Sequence, residues 1–562
     1  MAESPPPEPA LRRWAPLLVL CAWTLAYWSV QYKPFLLPNN DWYSFERTAQ
    51  SVGRFELPAE FKRMPVFPAF VALATPLMPR PDPELHAALV VNIAFSLGSL
   101  ALLFRLASGP LGPGAILAPV FFAATVQFHA MGLQPLVEPS LGFFVILSLV
   151  LFQARSRWQY AAAFAAALGR LEAATLIPVL CVLNGREEGR FWKHLALAAA
   201  ASTGVLGWTL AGALRGSGAS FYLELMESMG WEPAPQFLLR LLREGFAFLD
   251  VGDPRILLPL LGVVGVPLAV GIRVGLREFR RETLALLGCF AASALVIVGF
   301  GVNKARYVYP TVWIPPFLCA AGLLRLQDLA FRRLAPRLSG GASRLLAGAG
   351  SALLGAAAVL GVVYIGTRPR LLPLALDAGF ALGCAGVAAL PLVRRPRPPR
   401  TLWLGLACGV LAFVTASLTT GIAGKRAEVY DVYYTNYANV LLADWVEHNL
   451  GPDERAIVLG KKHLLHLTGL SKHRFLSFSK VEAQSVEELA AFMRREGYTY
   501  VVWTHRGDVH DRASAYYYET LHVELAERFR SGSPVPGFAH VATLRAPEHV
   551  DSSDVQIYRL AP

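Results

Sequence analysis

The chain has 562 residues, of which 54% are hydrophobic and only 16% charged, and its formal net charge is +12. Long apolar runs fill its first three quarters, which excludes an ordinary soluble protein and indicates a polytopic α-helical membrane protein. The basic excess lies in this apolar part. Loops held on the cytoplasmic side by Lys and Arg account for it, so no nucleic-acid partner is expected.

Eleven apolar segments are each about long enough to cross a hydrocarbon layer of about 30 Å. They lie near residues 14–30, 86–106, 113–130, 138–154, 191–213, 256–273, 283–301, 308–324, 345–366, 373–393 and 401–422. A further run, residues 159–183, is interrupted by Gly169-Arg170-Leu171-Glu172. Two half-length helices that meet at this charged pair fit the run better than one span with buried ions. The sequence therefore predicts about 13 transmembrane segments.

The basic segments between these spans fall on one side of the membrane if the chain reverses direction at Arg170. The amino terminus is then cytoplasmic, and the loops 31–85 and 214–255 lie outside with everything after residue 423. Residues 1–30 are interpreted as a retained signal anchor, because no convincing cleavage site follows them.

The composition changes near residue 424, which predicts two domains, residues 1–423 in the membrane and residues 424–562 outside it. Helix-type stretches at 440–447, 486–495 and 517–529 alternate with β-type runs at 456–459, 498–503 and 555–558. A small extracytoplasmic α/β domain is expected. All six cysteines lie in hydrophobic segments, so no disulfide framework is implied.

Asp41 and Glu46 lie in the loop after the first predicted span. A carboxylate there can accept a proton from an incoming nucleophile or hold a cation. An Asp directly before a helical stretch also suits an N-cap, and on spacing alone that interpretation is the stronger one. The aromatic residues of the loop, Trp42 and Tyr43 among them, can stack on a sugar or anchor the loop at the membrane surface.

Several bases face the same predicted side and can clamp a phosphate at the depth of lipid headgroups. They are Lys62, Arg63, Arg170, Lys304 and Arg306, and Tyr307 follows the last of them. Ordinary interfacial snorkelling explains Lys62 and Arg63 equally well. Glu138, which begins the fourth predicted span, is a second acid at this rim, although an acid in a first helical turn is also favoured by the helix dipole.

Two segments of the carboxyl-terminal part contain closely spaced histidines, residues 461–466 and 505–511. Neither matches a specific zinc-ligand pattern, and solvated loops are the favoured interpretation of both.

Taken in order, these features resemble the GT-C superfamily of membrane glycosyltransferases, in particular the protein O-mannosyltransferases and the lipid A aminoarabinose transferases. The resemblance lies in Asp41 after the first span, residues 63–68 (Arg-Met-Pro-Val-Phe-Pro), Glu138, residues 169–173 (Gly-Arg-Leu-Glu-Ala) and residues 306–310 (Arg-Tyr-Val-Tyr-Pro). The chain departs from many relatives in having Trp42 where they have a second acid.

The resemblance implies an inverting transfer of a sugar from a polyprenyl-phosphate donor to a protein, lipid or glycan acceptor on the external face. Asp41 would be the general base, Glu138 a second acid, and the five bases would bind the donor phosphate. Trp42, Tyr43, Glu46 and Tyr307 would contact the sugar or the acceptor. The resemblance makes no cofactor certain and leaves a divalent metal ion open.

Two alternatives stay open from the sequence alone, a transporter or flippase for a lipid-linked substrate and a ligase or polymerase for surface polysaccharide. A transporter usually shows internal repeats and charges near the bilayer midplane, and neither is visible here. The short connecting loops favour a bacterial inner membrane, with the carboxyl-terminal domain in the periplasm.

Overall fold

The computed structural model divides the chain into two compact units. The helical unit contains the described residues of 10–31 and 44–388, and the α/β unit contains those of 437–561 together with 41–43. The described residues are 10–31, 41–58, 61, 63–79, 82–215, 254–299, 309–334, 379–380, 383–384, 386–388, 437–458, 461–478, 481, 483, 485–504, 528–529, 534–545 and 554–561. The domain boundary at 423, the spans 345–366 and 401–422, most of the span 373–393 and nearly all of the loop 214–255 are predictions that lie outside them.

The helical unit follows the apolar runs of the sequence. Its described α-helices are α1 Ala10–Gln31, α2 Trp42–Gly53, α3 Val66–Ala74, α4 Pro83–Ser108, α5 Leu117–Ala123, α6 Val126–Gly132, α7 Glu138–Gln153, α8 Gln159–Ala167, α9 Leu176–Glu188, α10 Phe191–Leu214, α11 Pro254–Glu278, α12 Arg280–Gly299 and α13 Ile314–Leu334. Short 3₁₀ helices lie at Thr75–Leu77, Gly112–Gly114 and Leu171–Thr175. Helix α2 begins at the boundary between the two units, because residues 41–43 group with the α/β unit.

Two described helices, α4 and α10, are long and apolar enough to cross a membrane. Shorter apolar helices lie at Trp14–Val30, Val66–Leu77, Glu138–Gln153 and Ile314–Leu326. The segment predicted to span the membrane near 113–130 does not form one continuous helix. Helix α5 ends at Ala123, and α6 begins after Thr125, whose hydroxyl accepts the Phe128 N–H and so caps a new helix. The number of spans stays a prediction.

The break expected at Arg170 is confirmed. Helix α8 ends at Ala167, Arg170 has extended backbone, and the 3₁₀ turn that follows leads into α9. The start of α8 and the end of α9 lie together, since the Asn184 side-chain amide donates to Gln159 Oε1 at 3.2 Å. The chain therefore forms a helical hairpin that reverses direction at Arg170, as the positions of the basic segments required.

Polar side chains join the open end of this hairpin, opposite to Arg170. Arg281 of α12 donates to Asn184 Oδ1 at 3.0 Å and pairs with Glu187 at 2.8 Å. His194 of α10 pairs with Glu188 at 3.0 Å. These contacts hold α8, α9, α10 and α12 together at a level where the sequence predicts the cytoplasmic surface.

Helices α11 and α13 pack backbone against backbone. A Cβ on Gly271 would overlap the carbonyl oxygen of Leu318, and one on Gly322 would overlap that of Pro267. Both glycines are therefore required by the close approach of the two helices, the arrangement that small residues permit between membrane helices.

The α/β unit contains a five-stranded sheet in the order β2-β1-β3-β5-β4. Its elements are α14 Tyr437–Asn449, β1 Ala456–Val458, α15 Lys461–Thr468, β2 Phe475–Ser477, α16 Val486–Glu496, β3 Tyr500–Thr504, β4 Phe538–Leu544 and β5 Val555–Leu560. Strand β1 runs parallel to β2 and β3, and β5 runs antiparallel to β3 and β4. Core residues of α14 and α15 pack on one face of the sheet and those of α16 on the other.

The expectation of a small α/β domain is confirmed, and β1, β3, β5, α14 and α16 lie where the sequence predicted strands and helices. Three elements were not predicted, α15, β2 and β4. Residues 461–466 belong to α15 rather than to a solvated loop, while the second histidine segment, 505–511, lies outside the described residues.

Candidate active site

Arg170, at the turn of the helical hairpin, joins two carboxylates. Its Nη1 lies 3.0 Å from Glu138 Oε1, at the first residue of α7. Its Nη2 and Nε lie 2.6 and 3.3 Å from the two oxygens of Glu172, in the 3₁₀ turn. We call Glu138, Arg170 and Glu172 the Arg170 cluster. Its formal charge is negative, because one guanidinium serves two acids.

The Arg170 cluster is largely removed from solvent. The side chain of Glu138 is 2% exposed, that of Arg170 14% and that of Glu172 20%. Desolvation of charged groups costs several kcal/mol per ion by order of magnitude, and only paired geometry with good hydrogen bonds offsets it. Ionisable groups inside an apolar helical bundle commonly mark a substrate or ion path, so this cluster is the leading site candidate.

Local sequence explains where Glu138 lies. Pro139 follows it at the start of α7, where the missing N–H costs nothing and an acid is favoured by the helix dipole. The turn of residues 133–137 before it is buried throughout. Asn92 of α4, fully buried, donates from its side-chain amide to the carbonyls of Gln134 and Leu136 in this turn, the second at 2.8 Å.

Tyr309, in the turn before α13, lies in the same region. Its ring packs on α7 at Gly142, where a Cβ would lie 2.9 Å from Tyr309 Cε1. The Tyr309 hydroxyl is buried beside Ser96 of α4 and within electrostatic reach of Glu138. Glu138 therefore has buried neutral polar groups around it as well as Arg170.

Arg63 contacts residues at the start of α2. Its Nε donates to Ser44 Oγ at 2.7 Å, and its guanidinium carbon lies 4.6 Å from the centre of the Phe45 ring. Phe45 in turn packs edge to face on Phe67 of α3. Arg63 thus fixes the start of α2 against α3 through a hydrogen bond and a cation–π contact.

Glu46, on α2, is half-buried and lies near other acids. Burial, and after it the charges of Glu84 and Asp82, raise the pKa of Glu46 from 4.5 to about 7, against a smaller opposite effect of Arg47. Glu84 also accepts a hydrogen bond from Gln50, one turn further along α2. A carboxyl with this pKa can both accept and donate a proton near neutral pH.

We expect Glu46 to make stability depend on pH. Because its pKa is raised by folding, the folded chain binds more protons than the unfolded chain between about pH 4.5 and 7. This contribution to stability is complete below pH 4.5 and is lost as the pH rises through 7. Glu46→Gln should flatten the fall in melting temperature over this range, whereas Glu56→Gln, at an exposed acid of the same loop, should leave it unchanged. Equal pH curves for wild type and Glu46→Gln would contradict the assignment.

The other predicted site residues are placed as follows. Asp41 lies directly before α2, the position of an N-cap, so both interpretations of it remain open. Trp42 and Tyr43 begin α2 and are buried, with 1% and 7% of their surfaces exposed. Their burial argues against stacking of a sugar on either ring at an open surface. Four of the predicted residues lie outside the described residues: Lys62, Lys304, Arg306 and Tyr307.

Sequence reasoning did not single out Asn92, Ser96 or Gln134, and it noted Tyr309 only as part of the segment 306–310. Asn92 and Ser96 are one turn apart on the long apolar helix α4, and this spacing was the available signal. Within the described residues, no group of three or more His, Cys, Asp or Glu could hold a metal ion.

Comparison with solved structures shows the fold. The structure of ArnT from Cupriavidus metallidurans bound to undecaprenyl phosphate matches with a TM-score of 0.50 and 15% identity, over 97% of this chain and 98% of that one. The apo oligosaccharyltransferase of Archaeoglobus fulgidus matches with a TM-score of 0.53 and 13% identity, over 96% and 80%. The same enzyme tethered to an acceptor peptide with the NVT sequon matches with a TM-score of 0.50 and 12% identity, over 97% of this chain and 74% of that one.

No protein-family model and no curated protein sequence matches the chain. The resemblance to GT-C glycosyltransferases stated from the sequence is nevertheless confirmed at the level of the fold.

Proposed function

We propose that the chain is an integral membrane glycosyltransferase that moves a sugar from a polyprenyl-phosphate donor to an acceptor at the outer face of the membrane. The observation that carries the proposal is the buried Arg170 cluster at the turn of a helical hairpin, in a chain that shares its fold along nearly its whole length with ArnT bound to undecaprenyl phosphate. The bacterial inner membrane and a periplasmic α/β unit belong to the same proposal.

The reaction is an inverting displacement. An acceptor hydroxyl loses its proton to the Asp41 carboxylate as its oxygen bonds to the anomeric carbon. The bond from that carbon to the phosphate oxygen breaks, and polyprenyl phosphate leaves with the electron pair. Cations stabilise the charge that develops on the leaving phosphate, and the proposal assigns this role to Lys62, Arg63, Lys304 and Arg306.

Arg170 receives a more specific assignment than the sequence supplied. Its guanidinium directs three of its five N–H groups to Glu138 and Glu172, so these two carboxylates are its principal contacts in the structure. The proposal therefore assigns Arg170 to holding Glu138, which orients the acceptor or a divalent ion.

The test is transfer by the purified full chain in detergent, offered a panel of radiolabelled polyprenyl-phosphate sugars. Wild type should release polyprenyl phosphate, and Asp41→Asn should lower the rate by about 100-fold or more, since general bases contribute about 10² to 10⁴. Glu56→Gln, at an exposed acid of the loop 31–85, is the control and should keep the wild-type rate.

Full activity of Asp41→Asn would refute the role of Asp41 as base. If wild type turned over no donor but moved the lipid-linked sugar between the leaflets of a vesicle, the transport alternative would replace the proposal.

A further inference from the structure

Asn92 is an amide in the middle of the longest apolar helix of the described residues, and none of its surface is exposed. A buried amide without hydrogen bonds is destabilising in an apolar environment. The side-chain amide of Asn92 donates both of its protons to the same turn, one to the carbonyl of Gln134 and one to that of Leu136. These two carbonyls belong to the turn that ends at Glu138.

The turn needs an external partner because it is buried yet not helical. Residues 133–137 are not part of a helix or strand, so no regular hydrogen-bond pattern pairs their backbone N–H and C=O groups. Within the turn, the Leu136 N–H donates to the Gln134 carbonyl at 2.8 Å, and the Gln134 N–H donates to Met131 at 3.2 Å. Asn92 adds the contacts that join this turn to α4.

We infer that Asn92 is a positioning residue for Glu138, an inference that rests on the proposed function of the Arg170 cluster. Asn92 acts through the backbone: it fixes the 133–137 turn on α4, and the turn fixes the first residue of α7. Glu138 then meets Arg170 at 3.0 Å. Placement of a reacting group to within about 1 Å governs rates by up to about 100-fold, so a loose turn costs activity.

Surrounding residues support a role beyond packing. Among the described residues, Gln134 has no hydrogen-bond partner for either side-chain polar atom, and the buried hydroxyls of Ser96 and Tyr309 lie beside each other. All three residues are buried. Natural cores leave few such groups unsatisfied, and those that remain often occur at functional sites. Asn92 itself bonds the turn through both of its amide protons, while its Oδ1 has no hydrogen-bond partner among the described residues.

The variants are Asn92→Asp, which keeps the shape but replaces the donating amide, and Asn92→Leu, which removes both polar atoms. Each should lower kcat by about 10- to 100-fold with little change in the KM of the polyprenyl donor. Ser99→Ala is the matched control, because the buried Ser99 hydroxyl of α4 bonds only within its own helix, to Phe95. It should keep the wild-type kcat.

A double-mutant cycle separates positioning from general destabilisation. If Asn92 acts through Glu138, Asn92→Asp should cause no further loss of kcat in the Glu138→Gln background. The inference would be overturned if the kcat losses of Asn92→Asp and Glu138→Gln multiplied in the double variant, or if Ser99→Ala lost as much kcat as Asn92→Asp.

Hydrogen exchange provides a readout that needs no turnover. Amides of residues 133–138 should exchange faster in Asn92→Asp than in wild type, while those of α10 should exchange alike. Unchanged exchange in the turn would overturn the inference even if activity fell. Faster exchange in Asn92→Asp, together with a wild type that transfers no sugar, would instead refute the proposed function and leave the structural role of Asn92 standing.

Discussion

Gly271→Leu is expected to prevent stable folding of the helical unit. The Cβ of any side chain at this position would overlap the Leu318 carbonyl oxygen of α13, and a main-chain atom in the middle of a helix cannot turn aside. Overpacked cores usually lose about 1–3 kcal/mol, and forcing two helix backbones apart should exceed the upper end of that range. Thermal melts followed by size-exclusion chromatography of the full chain measure the effect.

The matched control is Gly265→Leu, on the same helix. A Cβ at Gly265 meets nothing within 4 Å, so the same added side chain should change the melting temperature little. Gly322→Leu should behave as Gly271→Leu does, because its Cβ would overlap the Pro267 carbonyl from the other side. Similar melting of the Gly265 and Gly271 variants would show that α11 and α13 do not pack closely.

The helical hairpin was predictable because charge is expensive in an apolar run. Arg170 and Glu172 interrupt residues 159–183, and the basic segments on either side required a reversal there. The break between α5 and α6 was not predictable in this way. Thr125 is neutral and β-branched, it fits inside a membrane helix as well as at a cap, and only the position of the Phe128 N–H distinguishes the two.

The sequence identified the charged residues of the candidate site, but it did not predict which of them contact each other. Positive-inside topology placed Glu138 and Arg170 at the same rim, and the structure brings them together at 3.0 Å. The second partner, Glu172, was noticed only as part of a break in the helix. Asn92 gave no signal of its own, because a lone amide in an apolar helix bonds equally well to its own backbone, and its contact with the 133–137 turn depends on how α4 and α7 pack.

The same limit applies to Gly271 and Gly322. Each is a small residue in an apolar helix, and the sequence contains many such glycines. A close approach needs two glycines opposite each other on different helices, and the pairing of α11 with α13 spans about 50 residues of sequence that no local pattern relates.

Arg170→Met is expected to destabilise the helical unit by about 3–5 kcal/mol, the usual cost of removing one partner from a buried ion pair. Most of this cost comes from Glu138, whose carboxylate would remain buried in the apolar bundle without its guanidinium. The half-exposed pair of Arg325 and Asp328, at 3.4 Å, supplies the control, because Arg325→Met should cost less than about 1 kcal/mol.

The double variant Arg170→Met with Glu138→Gln distinguishes stability from function. Neutral side chains of similar volume often replace a buried ion pair with little loss, so the double variant should melt closer to wild type than Arg170→Met alone. Its sugar transfer should remain low, because the acid that the proposal assigns to the acceptor is absent. If the double variant recovered both its melting temperature and its sugar transfer, the Arg170 cluster would serve the fold alone. If it recovered neither, the carboxyl of Glu138 would itself be required for the bundle to form.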